Sequence, residues 1–391
     1  MENLTAVKSP YVDRKINYQF KILYAIGIFF VVAGHAGGEE FIFLHEIMHC
    51  AGFYMAMFVF ASGYFYDSAY DSVPGKYILK KLKKFLVPYI LWNFFYGILV
   101  FVLSKFGFTI GLPVTWQKLT YKALLGIPQF SYNTPSWFVI PFLVTEVYNV
   151  CVRRLLLNVS ENVKNIVIMA FNLLLGFFGV YLAKKGFNTD FGLFFTRFMY
   201  FVPFYSLGYI YRIYLEKKDV LRNFWYFVII IVFELVLILI NGHSSYYLIF
   251  DMKEFSNPFS PYLVGVLGIA FWLRVSRILA PAIGKSKYII MIANNTFAIM
   301  MHHFLGFSIL GAMFYFASKF IPALPRFNIE AFMNSSDYIY MPRGRGFPLL
   351  YTIFGIAFSI LLQYAVLEIK KLICRNFGKT APQSYQAGEK D

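Results

Sequence analysis

His35 closes the apolar stretch GIFFVVAGHAGG, and of the six histidines its position favours chemistry most. An imidazole with an unperturbed pKa of about 6.5 can take a proton from a hydroxyl at physiological pH, where Asp or Glu is usually too weak a base. Counted as helix from Tyr18, His35 lies 17 residues along, about 26 Å at 1.5 Å per residue. That is close to the thickness of a hydrocarbon core, so the spacing places the ring near the outer surface, within reach of an acceptor from that side. Gly34, Gly37 and Gly38 strip side-chain bulk from its surroundings, as close approach of a substrate requires. The bland alternative is an interfacial histidine with no task. Other ionisable groups inside apolar stretches are Glu146, Arg197, Glu234 and the doublet His302 and His303. Such groups are costly in lipid and normally face a bundle interior or a wet cavity. Arg197 is read as a cation able to hold an acidic sugar or steady an oxyanion, and Glu146 as a substrate-side carboxylate or the structural partner of Arg197. Adjacent helical residues point about 100° apart, so at most one of the doublet faces the same cavity, and His302 is assigned there.

Elements able to position these groups must be membrane helices. Of 391 residues, 36 are Lys or Arg and 20 are Asp or Glu, so 14% are charged, against roughly 25% in soluble domains. Hydrophobic residues reach 59%, with 47 Phe and 30 Tyr. This much apolar surface needs lipid as solvent, which excludes a disordered chain, a secreted disulfide scaffold and a water-soluble enzyme. Cys50, Cys151 and Cys374 are too few and too scattered for a disulfide framework or a zinc site, and no metal is expected. Apolar stretches near 19–36, 47–66, 85–104, 137–152, 165–183, 191–211, 224–242, 261–273, 288–317 and 348–369 predict an all-α integral membrane protein of about ten transmembrane helices.

With the N-terminus cytoplasmic, the inside segments hold 25 Lys and Arg and the outside segments 10. The bias places both termini inside and explains the net charge of +16 without nucleic acid. The expected organisation is a cytoplasmic segment over 1–18, one transmembrane domain over 19–372 and a cytoplasmic tail over 373–391. The longer outer segments, about 105–136 and 319–347, are long enough to cover a site. No internal repeat is visible, which disfavours an inverted-repeat transporter. A cleaved signal peptide is the rival reading of the first stretch.

The order of several segments adds a resemblance. KILYAIGIFFVVAGHAG, FYMAMFVFASGYFY and KKLKKFLVPYILW together resemble the opening of the integral-membrane acyltransferase family 3, which includes bacterial polysaccharide O-acetyltransferases. SWFVIPFLV and FVPFYSLGYIYR resemble later segments of that family, and the likeness covers most of the chain. The resemblance implies acyl transfer from a cytoplasmic thioester, typically acetyl-CoA, to a glycan hydroxyl at the outer face, with His35 as the essential histidine. The family usually carries Arg or Lys eleven residues before that histidine, where this chain has Tyr24. Lys21, fourteen residues before, shares nearly the same helix face and either substitutes or snorkels to inner headgroups.

By motif position Ser62 is a candidate oxyanion donor, although a Ser-Gly pair in a membrane helix also serves close packing. Lys80, Lys81, Lys83 and Lys84 correspond to a basic motif of the family and would attract the phosphates of CoA; the same lysines also suit topology and lipid headgroups. Trp137 is a surface on which a sugar ring could stack, unless it belongs to an aromatic belt. The expected setting is a bacterial plasma membrane, with acyl-CoA, a polysaccharide acceptor, the lipid bilayer and polysaccharide biosynthesis machinery as partners. A polysaccharide exporter or small-molecule transporter is the competing class, with Glu146, Glu234 and His302 as a proton relay. A non-catalytic sensor or scaffold is the third.

Overall fold

A computed structural model describes residues 16–127, 130–241, 249–321, 327–334, 339–342 and 346–376. Several basic residues counted for topology (Lys8, Arg14, Lys15, Arg326, Arg343, Arg345, Lys379 and Lys390), most of segment 1–18 and the tail beyond 376 lie outside these residues. The longer helices are α1 Tyr18–His35, α2 Tyr54–Tyr64, α3 Pro74–Lys81, α4 Val87–Ser104, α5 Val139–Leu155, α6 Glu161–Lys184, α7 Asp190–Ile210, α8 Asn223–Asn241, α9 Ser260–Ile283, α10 Lys287–Asn294, α11 Thr296–Ser318 and α12 Phe347–Asn376. Among the described residues there is no β-strand. The chain is an all-α integral membrane protein, as its composition predicts.

Eight of the helical runs are long and apolar enough to cross a bilayer. Every expected span falls on a helix, but two of the ten do not qualify by themselves. The segment over 47–66 yields only the 11 residues of α2. Most of that helix is buried by its neighbours, so its environment is protein rather than lipid. Helix α7 has 21 residues, and Arg197, Tyr200, Tyr205 and Tyr209 dilute its hydropathy. The stretch over 288–317 also divides. Asn295 adopts a non-helical conformation and its side-chain amide donates to the Met291 carbonyl at 2.8 Å, separating α10 from α11.

Helix α1 sits inside the bundle, packed against α2, α9, α10, α11 and α12. Its start is set by Asn17, whose side chain accepts from the Phe20 amide at 3.2 Å. Its end is set by Gly37 at φ +67°, with the Gly38 amide donating back to the Ala33 carbonyl at 2.8 Å. Gly37 is therefore needed for the backbone turn, and the space around its Cα is open. The turn stops the helix one residue after His35 and leaves the imidazole at its tip.

Helices α2 and α7 meet backbone to backbone. A Cβ on Gly63 would collide with the Tyr205 carbonyl, and one on Gly208 with the Phe60 carbonyl. This contact fixes the depth of α2, and with it the levels of Tyr54 at one end and Ser62 at the other. Phe20 in the first turn of α1 stacks on Tyr64 in the last turn of α2, with ring centroids 4.1 Å apart. The two helices therefore run in opposite directions, and the bundle has a His35 end and a Lys21 end.

At the Lys21 end, α3 continues into α4 through one π-helical turn, Leu82–Leu86, giving 31 residues of helix from Pro74 to Ser104. A second π-helical turn, Tyr211–Leu215, follows α7 and directs Arg212 to the Tyr66 carbonyl. Lys21 donates to the Asn294 side chain at 2.5 Å, and Gln19 to the Leu273 carbonyl at 3.0 Å. These contacts gather the basic segments after α2, α7 and α9 at one end. At the opposite end the two long segments expected outside are tied together, because Thr109 bonds the Met333 carbonyl at 2.9 Å and the Asn334 side chain at 3.0 Å.

Candidate active site

His35 lines a small open cavity of about 70 Å³, together with Val31, Tyr54, Met55, Thr134, Trp137 and Phe250. Four parts of the chain build it: the tip of α1, the start of α2 with Ala51 just before it, the helical segment Ser131–Phe138, and Ile249 with Phe250. The cavity wall is largely apolar and aromatic, with the His35 imidazole and the Tyr54 phenol as its titratable side chains.

Behind His35 lies His303 on α11. His35 Nδ1 and His303 Nε2 are 2.9 Å apart and the ring planes differ by 19°. His303 Nδ1 is 2.7 Å from the Ile299 carbonyl one turn earlier. Phe304 presents its edge to both imidazoles, with centroids 5.0 Å from His35 and 4.9 Å from His303, and Phe307 covers His303 at 5.5 Å. His303 is fully buried. Of the doublet, it is His303 that contacts His35, and not His302, the member assigned to the cavity. His302 points the other way, bonded to the Tyr96 hydroxyl at 2.8 Å with its ring 4.2 Å from that of Trp92.

Trp137 does line the cavity, and Arg197 holds it there. The Arg197 guanidinium lies 4.4 Å from the Trp137 ring centroid. Its Nη1 donates to the Gly126 carbonyl at 2.8 Å and its Nε to the Phe250 carbonyl at 2.9 Å, a carbonyl that Nη2 also reaches. All three guanidinium nitrogens are committed and the residue is fully buried. This corrects the reading of Arg197 as a group that touches an acidic sugar or oxyanion. It clamps two cavity walls, Trp137 and Phe250, from behind. Nor is Glu146 its partner.

Glu146 belongs to the Lys21 end. One of its oxygens accepts from Ser62, the other from Tyr77, and Lys81 lies 2.7–2.8 Å from both. The Tyr77 hydroxyl also meets that of Tyr205 at 3.0 Å. Ser62 stands eight residues beyond Tyr54 on α2, about 12 Å along the axis, so it cannot donate to an oxyanion at His35. Glu146 is likewise absent from the cavity wall. Lys81 is corrected too: its ammonium turns inward to Glu146, whereas Lys80, Lys83 and Lys84 are exposed. Lys21, fourteen residues from His35, is bonded to Asn294 and makes no contact with the ring. Tyr24 stacks on Phe58 at 6.0 Å between the two ends.

Residues 17–368 match the model of acyltransferase family 3, described as an acyltransferase domain. The chain belongs to that family. No curated protein and no solved structure matches it. Membership makes the chain a membrane acyltransferase, so the cavity at the tip of α1 is assessed as the place where an acyl group changes hands.

The strap between α1 and α2 holds a further cluster. Glu39, His49 and Cys50 bring their ligand atoms within 4.8 Å of one another, an assembly that counting cysteines in the sequence does not anticipate. His49 Nε2 meets Glu39 Oε2 at 3.2 Å, and its Nδ1 accepts from the Ala51 amide at 3.3 Å. The contact between His49 and Glu39 ties together the strap whose Ala51 lines the cavity. Cys50 is fully buried, and burial together with the nearby Glu39 carboxylate pushes its thiol well above the usual range. Little thiolate forms there, which disfavours a covalent acyl-cysteine route.

Proposed function

We propose that this acyltransferase moves an acetyl group, or another short acyl group such as succinyl, from a cytoplasmic acyl-CoA to a hydroxyl of an extracytoplasmic polysaccharide or glycan. The reading rests on one observation above the others: His35, at the tip of α1, opens into a cavity with an aromatic wall in a chain of the acyltransferase family. In the proposed reaction His35 takes the proton of the acceptor hydroxyl as its oxygen attacks the thioester carbonyl. The tetrahedral intermediate collapses with cleavage of the C–S bond, and the proton passes to the departing thiolate, giving an ester and free thiol. The Trp137 ring, held flat by Arg197, offers the apolar face of a sugar a stacking surface.

The donor is proposed to approach from the Lys21 end, where exposed Lys80, Lys83 and Lys84 attract phosphates. A bacterial plasma membrane, with the Lys21 end and both termini on the cytoplasmic side, is the setting that the basic bias supports. A transporter reading is less well supported. Its proton relay would need Glu146, Glu234 and His302 in contact. Instead Glu146 is bonded to Ser62, Tyr77 and Lys81, and His302 to Tyr96. The buried Glu234 carboxyl has no hydrogen-bond partner among the described residues.

The test is incubation of the detergent-purified protein with labelled acetyl-CoA and surface glycan, with mass spectrometry of the product. Label is expected on the glycan with the native protein and not with His35→Ala. Glycan acetylation that persists in the variant would remove His35 from the reaction, and no labelling by the native protein would overturn the donor and acceptor assignment.

A further inference from the structure

The geometry points to His303 as a positioning residue that fixes the tautomer of His35, so that the nitrogen carrying the lone pair is Nε2. This rests on the proposed role of His35 as base. The argument starts at a carbonyl. The Ile299 oxygen, 2.7 Å from His303 Nδ1, can only accept, so Nδ1 carries the hydrogen. A neutral His303 then has its lone pair on Nε2. That atom lies 2.9 Å from His35 Nδ1, which must therefore be the donor. His35, neutral in turn, has one ring hydrogen, held on Nδ1, and its basic electron pair is on Nε2.

The chain of polarity thus runs from a main-chain oxygen through two rings. It performs the service that a carboxylate provides for the histidine of a serine hydrolase, orientation and tautomer selection. It does so without placing a net charge beside the cavity. The surroundings hold it in place. The edges of Phe304 and Phe307 restrict rotation of His303, and a Cβ on Gly355 of α12 would touch the His303 Cβ at 3.4 Å. Because Ile299 is one helical turn before His303, the acceptor that starts the chain belongs to the same helix and moves with it.

His303→Leu and His303→Gln separate this role from packing. Leucine fills apolar space but offers His35 no acceptor; the glutamine carbonyl can still accept from Nδ1. The expected result is a kcat about 100-fold lower or worse for His303→Leu, a loss within about tenfold for His303→Gln, and a KM for acceptor that changes little in either. A residue that only packs predicts the reverse order, with leucine tolerated and a buried amide harmful. Equal activity of the two variants, or leucine the better, overturns the proposal. A second reading does not use turnover. Nitrogen-15 NMR of the native protein with labelled histidine, assigned by comparison with His35→Ala, should show His35 protonated on Nδ1. Protonation on Nε2 overturns the inference even in an active enzyme. If the tautomer is as expected but His35→Ala retains full activity, the base assignment has failed and the hydrogen-bond chain has not.

Discussion

At the Lys21 end, Asp71, Glu146 and Glu161 each face at least one cation, while at the His35 end the buried polar pair consists of two imidazoles with no carboxylate between them. Asp71 accepts from Arg153 at 3.1 Å and Tyr66 at 2.6 Å, with Lys164 at 3.4 Å. Glu161 takes the other side of Arg153 at 2.5 Å and Lys164 at 2.9 Å. Charges removed from water persist in a fold only when paired and hydrogen-bonded, and breaking such a pair leaves an uncompensated ion. Asp71, Glu146 and Glu161 are all held that way. Among the described residues, the chain from His35 through His303 ends on the neutral Ile299 carbonyl, which suits the proposed base, since a base must begin its cycle with an available lone pair. The difference teaches that buried polarity marks structure where it is saturated and chemistry where it ends at a cavity.

The comparison breaks first, and with the largest effect, at His35. Replacing it by Ala should lower acyl transfer by about 10³-fold or more while leaving the amount of folded protein in the membrane and its thermal midpoint unchanged. A collapse in stability of the same size would put His35 with the structural groups. Next in size is Glu146. With its side chain fully buried against Lys81, Glu146→Gln should cost about 3 kcal/mol of stability, read as a lowered thermal midpoint in detergent. Glu146→Leu combined with Lys81→Met should recover most of that loss, because an apolar pair leaves no ion behind. A midpoint unaffected by Glu146→Gln would show that the saturated end contributes little to holding the bundle.

The unequal legibility of the two ends in the sequence has physical causes. The all-α membrane class and the end of α1 at His35 follow from apolar runs and from a glycine-rich stop, both local properties. The partners of buried charges do not. Glu146 finds Ser62, Tyr77 and Lys81 because α2 and α7 touch at Gly63 and Gly208, a contact between segments more than 140 residues apart. The choice between His302 and His303 depends on the rotation of α11, and Thr296–Ser318 is apolar on every side, so no stripe reveals which face turns inward. Arg197 was legible as an unusual cation within a span. Its actual partners, the Gly126 and Phe250 carbonyls, are main-chain atoms that carry no side-chain signal.

Arg197 allows an intermediate test of the same contrast, since it is a buried cation at the His35 end whose three nitrogens all bond main-chain carbonyls. Arg197→Lys keeps the charge but loses the planar fork that spans two carbonyls and lies against Trp137. Cation–π contact at a desolvated site is worth about 2 kcal/mol, so a less firmly held indole should raise the KM for the glycan acceptor by about tenfold. The kcat should change less and the donor KM not at all. An equal fall in kcat with KM unchanged would mean that Arg197 acts on the reacting atoms after all.

The smallest expected effect concerns the exposed lysines of the Lys21 end. Lys81 is held by Glu146, so the donor's phosphates would meet Lys80, Lys83 and Lys84, carried on the last turn of α3 and the π-helical turn after it. Exposed charges act through water and salt, and each contributes little. Changing all three to Gln should raise the KM for acetyl-CoA about threefold to tenfold at low ionic strength, with the difference from native protein shrinking as salt is added. The KM for the glycan, set at the far end of α1, should not move. A donor KM indifferent to these lysines at every salt concentration would leave them to lipid headgroups and topology. The donor's anionic portion would then have to be held elsewhere on the Lys21 end.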